Sequence, residues 1–413
     1  MNIHQVMDDS TGSVLILTQY FPPETGAASA RWAELSDRWS EEVPVTVITS
    51  APDYPNGELD REYDNDWLHR EQHGNIEVLY TKTVTSSSGN LLRRGLKFVW
   101  FMVMSAIVGL RYVSPSVVIA TSPQPLTGLS AWLIARTKGA RFVFEVRDLW
   151  PESILAVSDF DSRLVIRSLE RTVTFLYQRS DVLVVVSEGF VEPILERGVD
   201  RSKITFHPNG IEIDRYRTDG ETLPGTEPDG DVFTISYVGT IGRSHGLSVV
   251  LDAAAELEDV RFVLVGDGAE RERLKARAED LDNVVFTGQR PKEEVPSILA
   301  ASDAALVHLK PRAVFETVIP SKLLEAMAAE LPVILGVRGE AERILRDAGA
   351  GVVMEPGNRT QLVEAAERLR DNPQERATFG QAGREFVVEQ FSWENISAAY
   401  METILPSSGP AQS

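Results

Sequence analysis

Two charged residues in "IPSKLLEAM", residues 319–327, have the types and spacing to hold a ligand between them. On a helical wheel Leu323, Leu324 and Met327 share one side, while Lys322 and Glu325 sit together on the other. The stretch follows the apolar run "AALVHLK", so the start of its helix points to a strand end. A helix start attracts phosphate through its free N–H groups and its dipole, and Lys322 adds a full positive charge. Glu325, one turn in, would face a neutral, hydroxyl-rich part of the same ligand, since a carboxylate accepts hydrogen bonds from a vicinal diol, as in ribose binding. The competing reading is an amphipathic helix carrying a solvated salt bridge. "FEVRDLWPES", residues 144–153, ends a buried strand in Arg147 and Asp148, either a functional pair at a cleft or a structural ion pair. "YFPPETGAASAR", residues 20–31, puts Gly26 where a strand turns into a helix, with N–H groups that could face an anion; a plain turn explains it equally well. "YVGTIGRSHGL", residues 237–247, brings backbone close to something at Gly239, Gly242 and Gly246. Its spacing is not the G-x-G-x-x-G of a dinucleotide fold, which weakens a dehydrogenase reading. Gly266-Asp267-Gly268 is a turn first and a ligand contact second.

The elements that must position these residues alternate twice over. "SVLILTQY", "PVTVITS", "IEVLYTK", "SVVIATS", "RFVFEVRD" and "DVLVVVS" read as strands buried on both faces, hence a parallel sheet, with helices over 27–40, 93–111, 126–137 and 162–179. "FTISYVGT", "RFVLVGDG", "NVVFTG", "AALVHLK", "PVILGV" and "GVVMEP" repeat the pattern, with helices near 245–257, 269–280, 321–330 and 360–370. The fold class is α/β: two Rossmann-like doubly wound domains, with ligands expected at the carboxyl ends of their strands and in a cleft between them. The expected boundaries are a first domain over 1–210, a linker over 211–231 and a second domain over 232–388. A terminal helix over 389–405 and a disordered tail over 406–413 follow.

Composition excludes several classes. The chain has 413 residues and no cysteine, which removes disulfides and thiolate metal sites. Its net charge is −20, with Arg outnumbering Lys 33 to 8. That acidity argues against general nucleic-acid binding and fits a protein kept soluble in a salt-rich cytoplasm. The opening "MNIHQVMDDSTGS" is polar and acidic, a loose lead-in and not a signal peptide.

Taken together, "RDLWPES", "VGTIGRSHGL", "LVGDGAER" and "IPSKLLEAMAAELPVI", in this order and spacing, resemble the family-4 retaining glycosyltransferases, in particular the subgroup that builds glycans on polyprenyl lipids. The resemblance runs from residue 14 to about 400. It implies the GT-B architecture, with the acceptor in the first domain, the nucleotide sugar mainly in the second, and the terminal helix crossing back to the first. It also implies a UDP-sugar donor, a glycan or polyprenyl- or dolichyl-linked acceptor, and no metal cofactor. Carried onto this sequence, Glu325 is similar to the carboxylate that holds the ribose hydroxyls. Gly26 matches the loop glycine near the phosphate and acceptor, and Ser321 and Lys322 would face the pyrophosphate and sugar. Gly239, Thr240 and Gly268 fall in the donor loops, and Gly288, Gln289 and Arg290 fall beside the base. Arg147 stands where many relatives have a histidine near the reacting sugar, with Asp148 beside it. The family's E-x7-E is out of register, since Thr317 stands eight residues before Glu325 and Glu316 is one further away. The usual Arg and Lys of the first glycine loop align with Thr240 and His245, so Arg243 or Lys322 would supply that charge. The implied chemistry is front-side displacement with retention, in which the protein stabilises the departing diphosphate. D-x-D pairs at Asp64/Asp66, Asp159/Asp161 and Asp280/Asp282 are chance products of an acidic chain. Two alternatives stay open: a GT-B sugar-nucleotide epimerase, and a non-catalytic subunit that binds nucleotide sugar or lipid.

One segment runs against the overall charge. Residues 82–147 hold nine Lys and Arg and a single acid, Glu145. Within it "LLRRGLKFVWFMVMSAIVGLRYV", residues 91–113, has thirteen apolar or small residues from Phe98 to Leu110, short of the roughly 20 a spanning helix needs. Arg93, Arg94, Lys97, Phe98, Trp100 and Phe101 are therefore expected to dock the first domain on an anionic membrane surface, leaving the protein peripheral on the inner face of the plasma membrane.

Overall fold

The computed structural model describes residues 12–24, 26–53, 59–60, 63–85, 91–122, 124–153, 162–216 and 232–405. The expected lead-in, tail 406–413, the linker from 217 to 231, the Asp159/Asp161 pair and the side chain of Arg94 lie outside the described residues. Two compact units emerge: one runs to Pro208 and takes in the C-terminal segment from Ile396, and the other spans Asn209–Asn395.

The first unit is built on eight strands: β1 Val14–Leu17, β2 Val45–Ser50, β3 Leu68–His73, β4 Ile76–Thr81, β5 Val117–Thr121, β6 Arg141–Val146, β7 Val182–Val185 and β8 Ile204–Phe206. They lie in the order β3-β4-β2-β1-β5-β6-β7-β8, all parallel except β3, which pairs antiparallel with β4 at the edge. The interior strands are rich in buried Val, Ile and Leu because helices cover both sheet faces. Helices Leu91–Tyr112, Pro125–Lys138 and Arg163–Arg179 share one apolar cluster with the sheet. Glycines let them approach closely: a Cβ on Gly109 would stand 2.3 Å from Ile134, and one on Gly128 would stand 2.7 Å from both Leu176 and Phe144.

The second unit holds β9 Phe233–Val238, β10 Val260–Val265, β11 Val284–Gly288, β12 Ala304–His308, β13 Val333–Gly336 and β14 Gly351–Val353, all parallel, in the order β11-β10-β9-β12-β13-β14. Residues 211–216 are not linker. Ile211 and Tyr216 are buried in the core of this unit, and Ile211 N–H donates to Phe391 O at 2.8 Å. Helices Glu340–Ala348 and Pro373–Phe391 complete it.

The last helix, Trp393–Ile404, returns its distal part to the first unit. There Tyr400 stacks on His207 with ring centroids 4.8 Å apart, the Trp39 indole N–H donates to Ser397 O at 3.1 Å, and Arg141 donates to Ile404 O at 3.1 Å.

Two of the expected membrane residues point inward. Lys97 is buried in an ion pair with Asp53, and Phe101 is a core residue. Phe98 and Trp100 are half-buried, and the Trp100 indole N–H donates to Lys82 O at 2.7 Å. The apolar run gave no phase, and the buried carboxylate that claims Lys97 lies 44 residues away in sequence. His69 and His73 stand four apart, a spacing that on a helix would suit a metal. Here they lie on β3, where four residues span roughly 13 Å.

Candidate active site

In the second sheet the strand order reverses between β9 and β12, so the loops at their carboxyl ends flank the switch point where open α/β sheets take ligands. Helix Ser321–Ala328 follows β12 and buries Leu323, Leu324 and Ala326–Ala328 against it, which turns Lys322 and Glu325 to the other side, both half-buried. Lys322 lies across Gly239 at the end of β9. A Cβ on that glycine would stand 3.0 Å from Lys322 Cε and 3.2 Å from Nζ, and its φ of +136° is itself open only to glycine. Nζ also sits 5.2 Å from the centre of the Tyr237 ring. Burial lowers the Lys322 pKa, with Glu325 opposing. Burial raises that of Glu325, with Lys322, Lys292, a hydrogen bond from Ser321 and Arg215 opposing. Among the described residues neither has an opposite charge within 4.0 Å, so they are not the solvated salt bridge of the competing reading. A cation and a carboxylate, both half-buried and each shifted against its charged form, thus share the outer side of this helix.

The glycine loops beside them are shaped by one another. A Cβ on Gly268 would meet Ile241 O at 2.6 Å, and Gly266 N–H donates to Gly288 O at 2.8 Å. Thr240 is exposed, and its carbonyl accepts the Tyr237 hydroxyl at 2.7 Å. Ser321 is exposed at the helix start. Gln289 and Arg290 are exposed beyond β11, with Arg290 3.7 Å from Glu294. Arg243 reaches into solvent, 85% exposed, with Glu270 3.9 Å away. Glu316 ends helix Ala313–Glu316 and packs against Gly339, where an added Cβ would stand 2.7 Å from its own.

His308, which the sequence reading passed over as strand interior, fixes the glycine loop. Its Nε2 accepts from Gly357 N–H at 2.8 Å, so Nδ1 carries the proton and donates to His245 O at 2.6 Å. Burial lowers the His308 pKa, the direction that favours this neutral tautomer. Burial, then the charge of Lys322, lowers His245 to about 4, so the residue at the family's lysine position is uncharged.

In the first unit the reversal lies between β1 and β5. Gly26, φ +132°, caps helix Ala27–Ser40 after the β1 loop, and its carbonyl accepts from Ala30 N–H at 2.9 Å. Ser122 Oγ, beyond β5, accepts from the backbone N–H groups of Arg147 at 2.7 Å and Asp148 at 3.1 Å, which holds that turn at the end of β6. Burial lowers the Arg147 pKa, the nearby Arg31 adds to this, and Glu145 opposes it. Burial raises Asp148, with Arg147 opposing. Two residues missed in the sequence stand out here. Gln19 and Gln124, 3% and 4% exposed, have side-chain amide N and O atoms with no hydrogen-bond partner. An unmade buried hydrogen bond costs about 1–3 kcal/mol, and both amides sit just past neighbouring strand ends. The only signal for them was a polar residue directly after a buried strand, in "LTQYFPP" and "TSPQPL".

Comparison with known proteins bears on the family and the fold. The chain is 27% identical over 301 residues, 69% of its length and 73% of the relative's, to WcaI of Escherichia coli (strain K12), whose name assigns it provisionally to colanic acid biosynthesis as a glycosyl transferase. It is 26% identical over 209 residues to a GDP-mannose-dependent alpha-(1-6)-phosphatidylinositol monomannoside mannosyltransferase of Mycolicibacterium smegmatis, covering 48% of this chain and 55% of that one. Among solved structures, Anabaena HepE in complex with UDP superposes with a TM-score of 0.68 at 16% identity, over 95% of this chain and 99% of that one, which gives both units the GT-B fold. The family model of the glycosyl transferase 4-like domain matches residues 26–210, and that of the glycosyl transferases group 1 matches residues 221–386. Between them these matches span most of both units, and the chain belongs to the family-4 type of glycosyltransferase with the GT-B fold.

Proposed function

We infer that this glycosyltransferase takes a sugar from a nucleoside diphosphate sugar bound in its second unit and joins it to a hydroxyl of a glycan or lipid-linked glycan, keeping the configuration at the anomeric carbon. The observation that carries this reading is Lys322 lying on Gly239 with Glu325 one turn further along the helix. The ammonium meets the diphosphate, and the carboxylate, already costly to keep charged, gains ribose hydroxyls as donors. At the sugar, the anomeric carbon exchanges its bond to the diphosphate oxygen for one to the acceptor oxygen, and the proton of the acceptor hydroxyl passes to the departing diphosphate. Charge grows on the leaving group, so Lys322 acts more strongly in the transition state than on the bound donor. The diphosphate charge is assigned to Lys322 and the backbone N–H groups of the helix start, with no metal in the scheme. Gln19 and Gln124 are the groups in the first unit suited to an acceptor's hydroxyls, each able to donate and to accept. HepE supports uridine as the first base to test, while the mannosyltransferase uses guanosine.

Sugar transfer by the purified chain alone, with the product's anomeric configuration read by NMR, tests this reading. Donor binding without transfer favours a non-catalytic subunit, and a changed donor sugar favours an epimerase. Glu325→Ala weakens donor binding by about 1.5–3 kcal/mol in calorimetry; an unchanged affinity removes its ribose role. Asp148→Asn keeps the shape of the β6 turn and removes the charge. It lowers kcat at least about tenfold if Asp148 faces the reacting sugar, and wild-type turnover reduces Asp148 to a structural residue.

A further inference from the structure

We propose that the outer face formed by helices Leu91–Tyr112, Pro125–Lys138 and Arg163–Arg179 lies on an anionic phospholipid bilayer. The three helices are neighbours on one side of the first sheet, and their inner sides belong to one core. Along the outer side of the first, Leu96, Val99, Val103 and Ile107 recur every three or four residues and are 42–55% exposed. This stripe runs about 16 Å. Leu164, at the start of the third helix, is 84% exposed. Apolar side chains repeating along one exposed helix flank are more than the scattered surface leucines any protein carries.

Charge selects the occupant. The three helices contain ten Lys and Arg and one acid, Glu170, in a chain of net charge −20. Arg163, Arg167 and Arg171 stand at i, i+4 and i+8, all exposed, so they form a row along one flank of the third helix. Arginines beside apolar side chains suit the headgroup boundary, where their stems cover apolar surface and their heads reach lipid phosphate. The remaining, acidic surface is repelled by the same bilayer, so this face alone is drawn to it. The first helix is long and apolar enough over Gly95–Tyr112 to cross a membrane, yet a third of that window is buried in the unit. Lys97 and Phe101 are part of that buried side, with Lys97 paired to Asp53, so the helix lies on the bilayer and does not span it.

The test is flotation of the full chain with vesicles of phosphatidylcholine alone and of phosphatidylcholine with 30 mol% phosphatidylglycerol (about a third anionic, near an anionic leaflet). It reads vesicle partition and is independent of sugar transfer, so its failure leaves the functional reading standing. Wild-type protein floats with the anionic vesicles only, and less at high salt. Arg163→Gln/Arg167→Gln/Arg171→Gln lowers partition about 100-fold, and Leu96→Ser/Val103→Ser/Ile107→Ser lowers it at every salt concentration. Both variants change exposed side chains only and keep the wild-type melting temperature, whereas a Lys97 variant would strand Asp53. Absence of wild-type flotation, equal flotation of both variants, or concentration-dependent self-association lost in the same variants without vesicle binding would overturn the proposal. The last outcome assigns the face to a second copy of the chain.

Discussion

Replacing Glu145 with alanine lowers the unfolding free energy of the first unit by about 3–5 kcal/mol, the cost of leaving a buried charge unpaired. Arg31 and Glu145 are 1% and 0% exposed, and both Nε and one terminal nitrogen of the guanidinium donate to the same carboxylate oxygen, at 3.0 and 2.9 Å. The guanidinium also donates to the carbonyls of His207 and Pro208, and Thr121 Oγ donates to the other carboxylate oxygen at 3.1 Å. One pair thus ties the helix that follows Gly26 to the strand that precedes Arg147 and Asp148. Without Glu145, Arg147, whose charge Arg31 already disfavours and Glu145 supports, loses that support. Arg31→Met/Glu145→Met removes both charges and recovers most of the loss, because well-packed apolar residues often replace a buried ion pair at little cost. Urea denaturation of the single and double variants measures this. A single variant that loses less than about 1 kcal/mol would show that water or another group already compensates the pair.

This pair also marks where sequence reading stops. Strands such as "VLIL" and "VVIAT" were legible because burial on both faces leaves them almost wholly apolar. β3 escaped because "LHREQH" is an edge strand whose polar residues meet solvent, so its composition resembles a loop. Helix Pro373–Phe391 escaped for another reason. It packs through Gly380 and Gly383, and a Cβ on Gly380 would meet Glu330 O at 2.0 Å, so part of its contact surface carries no apolar side chain to count. Lys322 and Glu325 were legible because both sit on one short helix, where spacing fixes the face. Arg31 and Glu145 are 114 residues apart, and Lys97 and Asp53 are 44 apart. Local periodicity carries no trace of such partners, which is why Lys97 read as a surface cation. Gln19 and Gln124 were hidden more deeply, because what distinguishes them is hydrogen bonds not made within the chain.

Lys322→Met raises the melting temperature of the ligand-free protein while lowering kcat by about 10²–10³-fold, the loss seen when one donor to a developing negative charge is removed. The stability gain follows from the direction of its pKa. Burial holds the folded-state value below the unfolded one, so below the unfolded value the lysine is a cost to the fold, and that cost fades as pH rises from the lowered value toward the unfolded one. Glu325 mirrors it. Its folded pKa is raised, chiefly by burial, so its contribution favours the fold below the unfolded carboxyl range and is lost as pH rises through the raised value. Glu325→Gln therefore stabilises the free protein at neutral pH and flattens its stability between pH 4 and neutrality (around the ordinary carboxyl value of about 4.3). Both gains are modest because the two side chains are only half-buried. A bound nucleotide sugar reverses the order. Its diphosphate and ribose satisfy both charges in the wild type, which then gains more melting temperature from ligand than either variant does. Thermal scans with and without UDP-sugar, beside turnover measurements, read all of these at once. If ligand-free Lys322→Met and Glu325→Gln melt below the wild type, the two residues stabilise the helix as an ordinary pair. A half-buried ammonium and carboxylate that each weaken the empty fold, and strengthen it only when nucleotide sugar is present, are instead placed for the ligand.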